Sequence, residues 1–180
     1  MKSLDVFFNC REQVLEEWVN AIFNTYPLQS TGFLRTVKDP FTNPVADMTR
    51  EAARTVYEAV SGWDKKPEDV KQAIDRFVHL RAVQAMLPSQ GIMVFYLLKP
   101  IMRRHVLPKL KDQALQDYLD AESRLDTIVL MAFDIYMKSR ETVAENRIRE
   151  IKNQMPSSSA GRNGWEAALW NKREKANTIV

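Results

Sequence analysis

Hydrophobic positions recur at helical spacing through most of this 180-residue chain. Between Tyr118 and Ile151 the sequence carries neither Gly nor Pro for roughly nine turns. Tyr118, Glu122, Leu125, Val129, Ala132 and Tyr136 advance there by alternating steps of four and three, which places them along one stripe. From Thr127 to Phe133 the segment is apolar on nearly every side, Thr127 itself excepted. Such a helix must be covered on more than one face, by other helices of its domain or by a second chain. The pattern predicts the central beam of an all-helical domain.

The same periodicity predicts four further helices. The first spans about Arg11 to Tyr26, with Val14, Leu15, Trp18, Val19, Ile22 and Phe23 on one face. Residues 27–44 are rich in Ser, Thr, Gly and Pro, with room for a turn of helix around Gly32 to Val37. A second helix runs from Val45 to about Ser61 and stops at Gly62, suited to a left-handed C-terminal cap. A third begins just inside Pro67, with Glu68 and Asp69 in its first turn, and ends near Met86 or Leu87. A fourth, capped by Ser89, covers Gly91 to about Leu107 with a kink at Pro100. Its first half, IMVFYLL, is apolar on all sides and is expected to lie centrally. The long fifth helix starts near Asp112 and frays near Met155. The expected fold class is therefore all-α, a single domain of about five helices over 1–155, globin-like or bundle-like. The PSSSAGRNG stretch reads as a flexible linker, so 156–180 is expected to be a tail with a short helix-prone end.

Composition narrows the function classes. Apolar residues make up 45%, enough for a proper core, and five glycines are too few for Gly-rich phosphate loops or a turn-rich β fold. The formal charge is +3, and the segment after Met155 supplies +2 of it through four basic and two acidic residues. The remaining body is nearly neutral, which is not the balance of a dedicated nucleic-acid binder. Cys10 is a lone cysteine and can make no internal disulfide. The apolar start is broken by Asp5, and the run Gly91 to Leu98 falls far short of the ~20 residues a bilayer span needs. A cytoplasmic protein is the expectation.

Enzyme signatures do not occur: there is no HExxH, CxxC, paired ExxH, G-x-S-x-G, Walker loop or dinucleotide fingerprint. No catalytic residue is nominated, and the chain reads as a non-enzyme without cofactor or metal. His79 and His105 are the two candidate axial ligands for a haem, but a helical histidine is far more often structural, and Asp75 stands four residues before His79 to bond it. The run Lys99, Arg103, Arg104, His105, Lys109, Lys111 offers a patch for phosphate, anionic lipid or an acidic partner; its plainer role is to solvate a helix and offset the C-terminal dipole. Two helices around LPSQG suggest a helix-turn-helix, yet the second presents Ile92, Met93, Val94 and Phe95 where base-reading polar groups would stand. Asp126 and Asp134 interrupt the long helix, and structural ion pairs are expected, Lys138 pairing with Asp134; a ligand cavity is the other reading. In the tail, Trp165, Leu169 and Trp170 form an apolar cluster suited to a helix-in-groove anchor on another protein, or to folding back on its own domain. The nominated partner-binding residues are thus Trp165, Leu169, Trp170, Arg103 and Arg104.

Three blocks, DPFTNPVADMTREAARTVYEAV (39–60), HLRAVQAMLPSQGIMVFYLLKPIMRR (79–104) and AESRLDTIVLMAFDIYMKSRE (121–141), resemble the RsbRD N-terminal domain family over roughly Glu12 to Lys152. The resemblance implies an all-α input domain, similar in role to the non-haem globin-like modules of stressosome proteins that dimerise and relay a signal. It brings no catalytic residues. Co-antagonists of that kind continue into a phosphorylatable STAS domain of about 100 residues, for which 156–180 has no room, so a phospho-switched component is not expected. The AFDIYMKSRE and RAVQ-x-x-x-PSQ blocks further resemble stand-alone DsrT-like proteins of anaerobic sulfur-metabolising bacteria. That implies, as partner, a membrane-associated electron-transfer complex of dissimilatory sulfite reduction. Two functions follow as expectations: an accessory or regulatory protein docking on such a complex, and a small-ligand sensor acting through a homodimer with its pocket between the fourth and fifth helices.

Overall fold

The computed structural model describes residues 3–37, 39–84, 86–111 and 114–154. Seven α-helices occur among them: α1 (Ser3–Phe23), α2 (Leu28–Thr36), α3 (Pro44–Val60), α4 (Pro67–Val83), α5 (Pro88–Tyr96), α6 (Leu98–His105) and α7 (Leu115–Gln154), with a 3-10 turn at Leu107–Lys109. The described residues contain no strand. The fold is all-α. Residues 1–143 form one compact unit; of a second, 144–180, the described part is 144–154, which is helical.

Local chemistry explains most boundaries. Three helices begin on proline, whose missing N–H costs nothing at the first helical position. At α3 the Asn43 side chain also accepts from the Ala46 amide at 3.2 Å. Gly62, with φ of +83°, lets the chain leave α3 in the left-handed region. At α5 the cap is Leu87 and not the expected Ser89, which lies inside the first turn: Gln90 reaches back to accept from the Leu87 amide at 3.1 Å.

Two expectations are corrected. The predicted fourth helix is two, α5 and α6, broken at Leu97 rather than kinked at Pro100. Proline cannot donate to the carbonyl four residues back, and its ring crowds that carbonyl, so the disturbance falls at Tyr96 and Leu97. The first helix begins at Ser3, not near Arg11, because Val6, Phe7 and Cys10 continue its buried face one turn after another. The turn expected near Gly32 is the nine-residue α2.

The main core draws on six helices. Its largest buried side chains include Trp18, Tyr57, Phe77, Phe95 and Tyr136. The stripe foreseen on α7 is buried at Tyr118, Leu125, Val129, Ala132 and Tyr136. Buried polar groups are mostly satisfied across helices, as buried groups must be: Trp18 Nε1 donates to the Val94 carbonyl and Tyr57 Oη to that of Phe7, each at 2.8 Å. Phe23, Leu34 and Ala46 make a separate small cluster that holds α2. Asn43 Nδ2 adds hydrogen bonds to carbonyls of Phe33, Leu34 and Val37 at 3.0–3.3 Å.

Candidate functional site

The basic run of α6 is largely engaged within the chain. Lys99 pairs with Asp126 at 2.7 Å and lies 5.6 Å from the Tyr96 ring. Arg103 makes a two-pronged contact with Glu122, at 2.9 and 3.1 Å. Arg104 pairs with Glu17, whose other oxygen lies 2.6 Å from His105 Nε2. Lys109 Nζ lies 3.4 Å from Cys10 Sγ. Both nominated arginines therefore tie α6 to α7 and α1, while their guanidinium groups stay largely exposed. The Arg103 hydrogen bonds hold the Glu122 carboxyl below its usual range, and burial pushes the Tyr118 hydroxyl up. Trp165, Leu169 and Trp170 lie outside the described residues.

Two expected pairs are not formed. Asp134 and Lys138 are both exposed and make no ion pair, and Asp75 does not bond His79. All four side chains are exposed and line one cleft between α4 and α7, and a single exposed helical ion pair gains too little to hold two long side chains together. Asp126, by contrast, reaches across to α6, and Arg124 donates instead to the Val60 carbonyl at 2.8 Å.

The girdle of α7 is also only partly covered. Ile128, Val129 and Ala132 are buried, but Leu130 is 68% and Phe133 44% exposed. Asp126, Leu130, Phe133 and Met137 advance by four, three and four residues and so share one flank of α7, beside its buried stripe rather than opposite it. On α5, Met93 is 46% and Tyr96 47% exposed. The two helices are locked together: Gly91 lies against the Tyr136 ring, and Tyr136 Oη donates to the Met86 carbonyl. Lys99, between Tyr96 and Asp126, closes one end. The exposed apolar stripe of α7 thus has Tyr96 of α5 at one end, joined to Asp126 through Lys99; this is the α5–α7 face.

One cleft of about 560 Å³ runs between α1 and α3 and is closed by α2; its walls include Arg35, Arg50 and Arg54. Another, of about 450 Å³, lies between α4 and α7, with Lys71, Asp75, His79, Asp134 and Lys138 around its mouth. Among the described residues no group of three His, Cys, Asp or Glu side chains could hold a metal ion, and no helix is long and apolar enough to cross a membrane.

Residues 12–151 match the family model described as the RsbT co-antagonist protein rsbRD N-terminal domain. The chain belongs to the RsbRD N-terminal domain family. An uncharacterised protein of Archaeoglobus fulgidus is 26% identical over 141 residues, which cover 78% of this chain and 83% of that protein. No solved structure matches. The matched span of the RsbRD N-terminal domain begins on α1 and ends inside α7, so it contains the α5–α7 face and both clefts whole.

The sequence held signals for some of these features and not others. Arg50 and Arg54 stand four apart and had to share one side of α3. Nothing in the sequence tied them to Arg35, which only the folding of α2 brings to the same cleft. Glu58 was equally hidden. It is buried and held by Arg11 at 2.7 Å and Lys65 at 2.6 Å, forty-seven and seven residues away along the chain.

Proposed function

We propose that this RsbRD N-terminal domain is a non-catalytic regulatory module that works by docking, and that the occupant of its α5–α7 face is a second copy of the chain. The exposed apolar face carries this reading. Leu130, Phe133 and Met137 form an exposed apolar stripe at helical spacing on α7, with exposed Tyr96 of α5 at one end, and clusters of that kind mark interaction sites. The four-three-four spacing on α7 is the one that lets like helices mesh side by side. A two-fold pairing would set Tyr96 of each copy beside the α7 stripe of the other, burying the patch at once. Family membership supports a signalling role for such a pair.

Light scattering across concentrations, with Leu130→Glu and Phe133→Glu as variants, tests the pairing. A dimer at tens of micromolar that both variants convert to folded monomers supports it. A monomeric wild type, or a dimer indifferent to both substitutions, overturns it.

The finer partner reading is an accessory role on a redox complex of dissimilatory sulfur metabolism, with the tail residues Trp165, Leu169 and Trp170 as the anchor. It rests on the DsrT-like sequence blocks. Affinity purification of the full chain and of a form ending at Met155 tests it, loss of a co-purifying redox complex on truncation being the supporting result. A small-ligand sensor is the second reading, favoured by the cleft between α1 and α3, whose volume suits a small molecule.

A further inference from the structure

Three guanidinium groups from two helices meet over an apolar floor in the α1–α3 cleft. Arg50 and Arg54 come from α3 and Arg35 from α2; the floor is the half-buried Leu15 and Val19 of α1, with Phe23 buried beneath. Three arginines against two glutamates, Glu12 and Glu16, leave the lining net positive, and one anion among the arginines would balance it. Arg50 is held in place, 5.6 Å from the Phe23 ring and 3.4 Å from the Leu34 carbonyl. Arg35 has only a hydrogen bond to Asn24, at 2.6 Å. Arg54 makes no hydrogen bond or ion pair with any described residue, although Glu16 lines the same cleft. It is a cation free to take a ligand.

We infer that this cleft binds an amphipathic monocarboxylate, its carboxylate held by Arg54 and Arg35 and its hydrocarbon body laid on Leu15 and Val19. Each part of the ligand follows from a wall. A planar carboxylate matches the guanidinium fork, which gives two parallel charge-assisted hydrogen bonds. The floor rewards an apolar body, which a free inorganic anion lacks. Glu12 and Glu16, on the same helix as the floor, limit the negative charge that the site tolerates, so a polyphosphate is disfavoured against a single carboxylate. Because α2 carries Arg35 and is held through the small Phe23, Leu34 and Ala46 cluster, closing on a carboxylate would join α2 to α3. This site is separate from the α5–α7 face and stands whether or not the chain dimerises.

Octanoate is the probe, measured by calorimetry on the full chain beside octanol, acetate and inorganic phosphate. The inference expects saturable one-to-one binding of octanoate, with octanol, acetate and phosphate each at least about tenfold weaker. Arg54→Gln and Arg35→Gln, both substitutions of exposed side chains outside the core, should each weaken octanoate about tenfold, and Arg54→Lys should weaken it less. Helical circular dichroism equal to wild type shows that the variants fold. No octanoate binding, octanol binding as tight as octanoate, or variants with unchanged affinity would each overturn the assignment. Phosphate binding equal to octanoate would do so too, since the floor would then have no part.

Discussion

Gly91 of α5 and Tyr136 of α7 are packed so closely that a Cβ on Gly91 would stand 2.9 Å from Tyr136 Cδ2 and nearer still to its neighbour Cε2. The ring has no freedom to retreat, because its hydroxyl donates to the Met86 carbonyl at the turn before α5. Glycine is required here by the approach of the ring, not by backbone conformation.

Gly91→Ala should therefore destabilise the domain by roughly 1–3 kcal/mol through overpacking, against the small gain alanine normally brings to a helix. Urea denaturation measures it. In the background of Tyr136→Ala, which empties the space, the same substitution should become neutral or stabilising; equal penalties in both backgrounds would show that the ring is not the cause.

Arg81 is fully buried without a carboxylate. Its exposure is 0%, its Nη2 donates to Thr25 Oγ1 and the Gln90 carbonyl at 3.1 and 3.0 Å, and its plane lies 5.2 and 5.6 Å from the Tyr26 and Phe77 rings. Burial lowers its affinity for the proton. The aromatic faces and the delocalised charge make this burial tolerable, and a lysine ammonium, compact and more strongly hydrated, would lose both advantages. Arg81→Lys should cost about 3 kcal/mol or more, and Arg81→Met less, since an apolar chain carries no charge into the core. Thermal melts of the two variants side by side decide it; a Lys variant as stable as the Met variant contradicts the account.

Glu58 is a buried acid between two cations from different parts of the chain, Arg11 and Lys65. Arg11 also lies 5.6 Å from the Trp63 ring, which rests against Phe8 and Tyr57. Glu58→Ala leaves both cations without their shared partner and should destabilise by about 1–3 kcal/mol. A double-mutant cycle with Arg11→Met should recover part of that loss, and a coupling near zero would show that the pair is inert.

Glu122 sets an acid limb. Its carboxyl titrates below the ordinary glutamate value of 4.5 because Arg103 and Tyr118 bond the charged form. In the unfolded chain it takes up a proton at higher pH than in the folded one, so its contribution is complete above about pH 4.5 and fades as pH falls through the folded value. Glu122→Gln should flatten that part of the stability profile while leaving the neutral-pH slope unchanged. An identical acid limb in the variant would assign it to other carboxylates.

Much of the fold was legible in the sequence because it is written in local chemistry. Pro67 and Gly62 mark ends whatever surrounds them, since a missing N–H and a permitted positive φ act within one turn. The buried stripe of α7 was legible for a similar reason: helical geometry alone puts Tyr118, Leu125, Val129, Ala132 and Tyr136 on one side. The break at Leu97 was missed by assigning the disturbance to Pro100 itself, whereas the carbonyl it disrupts belongs to Tyr96.

By itself, then, the sequence determined that the chain is helical, where several helices must start or stop, and which side of α7 enters a core. Periodicity sets the phase of each helix about its own axis, and nothing more. Only the tertiary structure decided which charges meet. Lys99 found Asp126, Arg103 found Glu122 and Glu58 found Arg11, while Asp134 and Lys138 stayed apart. It also decided that Leu130 and Phe133 remain in solvent and that three arginines border one cleft. Such pairings depend on distances between helices far apart in sequence, and no local preference encodes those distances.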